Sequence, residues 1–175
     1  MKTLLVLLAL AGSAADLSAQ VALTGARWQV LPSQRVRRKE ARDIERLALP
    51  PGGPQEPIAA VVILKNEGAR TEVGVQLRYA VSVRVVPVGG SADAGTWTVP
   101  FWTEVERVPQ IGAGKEKKVV IRNLHLDAHL RQLFREGFWL NAVRLQVMTE
   151  LKRGEALGHK VLETELPVDW EGKNP

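Results

Sequence analysis

The 175-residue chain carries 24 Lys and Arg against 19 Asp and Glu, a formal net charge of +5, and no cysteine. Without thiols there is no disulfide framework, no Cys nucleophile and no Cys-based metal site, so stability must come from the core alone. A pI near 9.8 favours anionic surfaces such as phospholipid headgroups or acidic polysaccharide; acidic residues are nevertheless interleaved with the basic ones, and no nucleic-acid recognition motif occurs.

Lys2 precedes the apolar run Leu4 to Ala11, and small residues follow through Ala19. This is the pattern of a secretory signal peptide over 1–19, cleaved after Ala15 or after Ala19. The run is too short to span a bilayer, which takes roughly 20 apolar residues, so the expected mature protein has no transmembrane anchor and is periplasmic or secreted. The remaining 20–170 is one domain's worth of chain, with a frayed tail expected over 171–175.

Val21 to Leu31 reads as a first strand, expected at an edge. A charged, Pro/Gly-rich insertion over 32–57 follows, held as a short helix or an extended excursion and ended by Pro50-Pro51-Gly52-Gly53-Pro54. Ile58 to Leu64 is apolar on both parities, as in a central strand buried on both faces. From Val73 to Val85 the period of two is clear, with Val73, Val75, Leu77, Tyr79, Val81, Val83 and Val85 on one parity, expected to face the core, and Gln76, Arg78, Ser82 and Arg84 on the other. Beyond the Gly89 to Gly95 connection, Trp97, Val99, Phe101, Thr103 and Val105 alternate with Thr98, Pro100, Trp102, Glu104 and Glu106. The first set is expected to face the core, and Pro100 argues for an edge strand.

Lys117 to Leu124 reads as a further strand. A short helix follows, with Asp127 as its expected N-cap, Leu130, Leu133 and Phe134 on its apolar face and Gly137 as its stop. Trp139, Val143, Leu145, Val147 and Leu151 share a parity in the next strand, and Val161 to Val168 forms the last. About seven strands with one short helix before the penultimate strand make an all-β, antiparallel two-sheet sandwich of immunoglobulin-like kind.

Val61-Val62-Ile63-Leu64-Lys65-Asn66-Glu67-Gly68 resembles the strand and Lys-Asn-x-Gly turn that open immunoglobulin-like domains of the CARDB (cell-adhesion-related) type in bacterial surface proteins. Val108 to Lys115 resembles that family's turn before a β-branched strand, and Gly137-Phe138-Trp139 leading into Val143 to Val147 its penultimate strand. The resemblance covers about half of the expected mature chain. It implies a spacer, adhesive module or assembly subunit of the cell envelope, with no fixed catalytic residue.

The residues offer little chemistry of their own. His125, Asp127 and His129, with His159, are the only grouping of metal-ligand type, but their spacing suits a capped helix start better than a zinc site. There is no Gly-x-Ser-x-Gly elbow. Glu104 with Glu106, and Glu163 with Glu165, sit two apart on strands as solvated pairs rather than flanking a cleft. No cofactor, metal or catalytic residue is therefore expected, and the chain is read as a non-enzymatic interaction or structural domain. The expected partner is another envelope protein, met through a sheet edge or a surface around Trp102 and the basic Arg35, Arg37 and Arg38. The alternative is a carbohydrate-binding module using exposed aromatics.

Overall fold

A computed structural model describes residues 21–32, 40–50, 56–122, 124–151 and 157–170. Ten strands and one α-helix are built from them: β1 Val21–Val30, β2 Arg42–Ile44, β3 Leu47–Leu49, β4 Ile58–Asn66, β5 Glu72–Pro87, β6 Thr96–Trp97, β7 Trp102–Ile111, β8 Glu116–Ile121, α1 Leu126–Arg135, β9 Phe138–Thr149 and β10 Val161–Trp170. Strands β2, β3 and β6 are only two or three residues long, and the other seven answer to the strands expected from sequence, except that the one expected from Trp97 to Glu106 is split, with Trp97 in β6 and β7 starting only at Trp102. They form two sheets, ordered β2-β1-β4-β8 and β3-β10-β9-β5-β6, with β7 also paired to β5. The protein is an all-β sandwich.

Strand β4 lies inside its sheet between β1 and β8, and its alanines, valines and leucine are buried from Ile58 to Val62 and at Leu64. That accounts for the loss of alternation there, since both faces are covered. In the six-stranded sheet Leu77, Tyr79, Val81 and Val83 of β5 join Val143, Leu145 and Val147 of β9 and Leu166 of β10 in the core. Each aliphatic side chain buried this fully contributes about 1.5–3 kcal/mol.

The charged insertion is not a plain loop. Within it β2 pairs antiparallel with the end of β1, and β3 pairs parallel with β10, burying Leu47 and Leu49. Because of β2, β1 is flanked on both sides at Trp28 to Val30 and is an edge only before that. Arg46 closes the insertion against the end of β10 through two 2.6 Å hydrogen bonds to Asp169. Residues 1–20, 33–39, 51–55 and 171–175, which include both cleavage points, the Pro50 to Pro54 stop beyond Pro50 and the tail, lie outside the described residues.

Helix α1 carries the chain from edge strand β8 of one sheet to β9 inside the other, with Leu126, Leu130 and Leu133 buried. Its N-cap is His125, held at φ 50°, not Asp127, and His125 makes no side-chain cap bond. At the far end Gly137, at φ +80°, turns the chain into β9 as expected of a glycine stop.

Candidate functional site

Strand β7 keeps its sequence alternation, but the sense is opposite to expectation. Its register sets Trp102 opposite Val81, Glu104 opposite Tyr79 and Glu106 opposite Leu77. Facing residues on neighbouring strands share a face, so Trp102, Glu104 and Glu106 point to the core side. Thr103 and Val105 stand on the outer face with Ala80 and Arg78. Strand β7 is the outermost strand, and its inward Glu104 and Glu106 are exposed. At Glu104 and Glu106 the inward side therefore reaches water. Trp97, opposite Arg84 on the outer face, is likewise not a core residue: the Arg144 guanidinium lies 3.8 Å over its ring.

On the outer face the registers align one row across four strands: Val105 opposite Arg78, Arg78 opposite Met148, and Met148 opposite Val161. The next row is Thr103, Ala80, Gln146 and Glu163. All of these but Glu163 line a shallow groove of about 510 Å³. Val105, Met148 and Val161 remain 50%, 39% and 48% exposed, an aliphatic row left facing water. Beside it the polar groups are tied to one another. Arg144 holds Glu163 at 3.2 Å and Glu165 at 2.8 Å, and Gln146 donates to Glu163 at 2.8 Å.

On the inward side, Trp102 is half-buried, and its ring lies 3.6 Å, centroid to centroid, from that of His125. His129, one turn further along α1, stacks on Phe101 at 4.0 Å. The Tyr79 hydroxyl donates to Glu104 Oε2 at 2.6 Å and Trp102 Nε1 donates to the same oxygen at 3.3 Å. These bonds, that of Tyr79 first, hold the Glu104 carboxyl below the usual range, while burial and then the Glu104 bond push the Tyr79 phenol up. Burial lowers His129, with a smaller opposing effect from Glu136. A left-handed conformation costs a non-glycine residue roughly 1–2 kcal/mol, and at His125 it brings the ring onto Trp102. The arrangement anchors α1 to the start of β7.

The sequence candidates thus separate. His125 and His129 are spent on ring stacking, Asp127 is exposed, and His159 lies exposed in a 3-10 turn over Leu157–His159. Among the described residues no group of three or more His, Asp or Glu is placed to hold a metal ion. Arg35, Arg37 and Arg38 lie outside the described residues. Reading the sequence for a site passes over Arg78, Met148 and Val161. The available signal was Met148, an aliphatic residue on the polar parity of a strand whose other parity already supplies the core.

No protein-family model matches the chain, and no curated protein matches it. Among solved structures, a β-D-glucoside glucohydrolase from Trichoderma reesei is similar with a TM-score of 0.42 and 16% identity, over 86% of this chain and 19% of that one. The chain therefore corresponds to a small part of that enzyme's length. No helix among the described residues is long and apolar enough to cross a membrane.

Proposed function

We propose that this protein is an exported, non-enzymatic interaction domain of a bacterial cell envelope, periplasmic or secreted, which binds another envelope protein. The observation that carries the reading is the outward turn of β7. Val105 joins Met148 and Val161 in an exposed aliphatic row on the open face of the six-stranded sheet. Apolar surface gathered on one face of a sheet, with a polar rim, is the physical mark of a docking surface. The signal-peptide pattern supports export, and the CARDB-type resemblance supports the envelope role.

Among the routes open to a partner, the face has more in its favour than the β7 edge. Pro109 removes a backbone donor from β7, and the inward Glu104 and Glu106 discourage an added strand. The carbohydrate-binding alternative draws less support from the aromatics. His125 covers Trp102, and Arg144 covers Trp97.

The test is affinity capture from cross-linked native envelopes with wild-type protein, Met148→Glu and Trp102→Ala. The expected result is one protein retained by the wild type and by Trp102→Ala and depleted about ten-fold by Met148→Glu, a charge buried against an apolar partner costing well over 1 kcal/mol. Recovery of polysaccharide without a protein overturns the reading.

A further inference from the structure

On the groove face two of the described arginines already have partners. Arg144 is held by Glu163 and Glu165, and Arg84 donates to the carbonyls of Gly95 and Asp93 at 3.1 and 3.2 Å. Arg78, which lines the groove between Val105 and Met148, is exposed and has no acidic partner among the described residues. Two described carboxylates beside the groove are each already engaged. Glu104 accepts from Tyr79 and Trp102, and Glu163 from Arg144 and Gln146. A guanidinium set in an aliphatic row is complementary to a carboxylate flanked by aliphatic groups, because it offers paired donors while its neighbours exclude water.

The groove's form selects among ligands with that chemistry. Among the described residues all of its lining comes from one sheet, so none of them closes a second wall over it, and a small molecule would stay wet on one side. A protein segment brings its own roof. From Val105 to Val161 the row crosses three inter-strand spacings, about 14 Å, which an extended peptide covers in about four residues.

We infer that the groove binds an extended peptide segment of the partner protein, about four residues long, in which an Asp or Glu pairs with Arg78 and adjacent aliphatic side chains pack on Val105, Met148 and Val161. This rests on the interaction-domain reading and names the chemistry of the partner at that surface.

A phage-displayed library of random dodecapeptides, selected in parallel on purified wild-type protein and on Arg78→Glu, tests it. The Arg78 side chain is exposed and makes no bond with another described residue, so both proteins should melt within about 2 °C of each other. The expected result is enrichment of an acidic residue beside aliphatic ones on the wild type and replacement of that acid by Lys or Arg on Arg78→Glu. The enriched peptide, fluorescently labelled, should bind Arg78→Gln about ten-fold more weakly by anisotropy, as loss of one charge-assisted hydrogen-bonded pair implies. Peptides without an acid, an acid preference that survives Arg78→Glu, or no enrichment over bare support each overturn the inference. So does a dimer in sedimentation velocity that Met148→Glu dissociates, because a second copy would then cover the face. Acid-free peptides that still lose binding in Met148→Glu overturn this inference alone; the interaction-domain reading falls only with the envelope capture.

Discussion

Asn66, at the end of β4, is completely buried and uses its whole amide. Nδ2 donates to the Arg70 carbonyl at 2.7 Å and the Ile111 carbonyl at 2.9 Å, and Oδ1 accepts from Gly68 N–H at 3.0 Å. One side chain thereby shapes the β4–β5 turn and ties the four-stranded sheet to the end of β7. That is what Asn66 does within the Lys65-Asn66-Glu67-Gly68 turn. Asn66→Ala strands two carbonyls and an N–H, and should cost about 3 kcal/mol, lowering the melting temperature by roughly 6–12 °C. Asn66→Asp should cost at least as much at pH 7, because it turns a carboxylate on two carbonyl oxygens, and should recover as acid protonates it.

His129 sets a second residue-scale expectation. Its pKa is depressed by burial in the folded state, so on acidification the unfolded chain takes up the proton first, near the ordinary value of 6.5. The stability this group contributes is present above 6.5 and is lost as pH falls from there toward the lower folded value. The carboxyls of Glu104 and Asp169, whose pKa values are also lowered, act in a separate window below their ordinary 4.5 and 3.8. His129→Phe keeps a ring against Phe101 and removes the titration. Its melting temperature should fall less than that of the wild type between pH 7 and pH 5.5.

At the scale of elements, the glycine stop of α1 was legible and its cap was not. Gly137 sits at φ +80° with open space where a Cβ would stand, so substitution costs conformation and not collision. Gly137→Ala should destabilise by about 1–2 kcal/mol and Gly137→Asn by less, measured by urea unfolding, since Asn tolerates the left-handed region. Asp127 looked like the N-cap because short acidic side chains favour that position. In the fold, packing of Leu126 into the core starts the helix two residues earlier than an Asp127 cap would and leaves His125 at the cap. Strand β3 escaped sequence reading for another reason. Three residues carry no period, and what makes Leu47 to Leu49 a strand is parallel pairing with Val168 to Trp170, far along the chain.

Across the whole molecule, the sandwich was legible because long strands such as β5 state their faces in their own residues, as in Leu77, Tyr79, Val81 and Val83. The candidate site was legible only in part. Alternation in β7 was correct, but which set faces inward depends on whether a second sheet lies opposite, and no local pattern contains that. The groove needs the register of β7, β5, β9 and β10 at once before Val105, Arg78, Met148 and Val161 fall into line. An aliphatic parity turned outward at a sheet's rim departs from the rule that buries it, and such departures concentrate where a protein meets something else.

The most direct measurement is site-specific photo-cross-linking in native envelopes, with benzoylphenylalanine in place of Val105 or Met148 on the groove face and, as control, in place of Lys118 on the opposite sheet. The expected result is one discrete protein adduct from positions 105 and 148 and none from 118. Equal adducts from all three positions, or none from the groove positions, would contradict the assignment of this face as the partner surface.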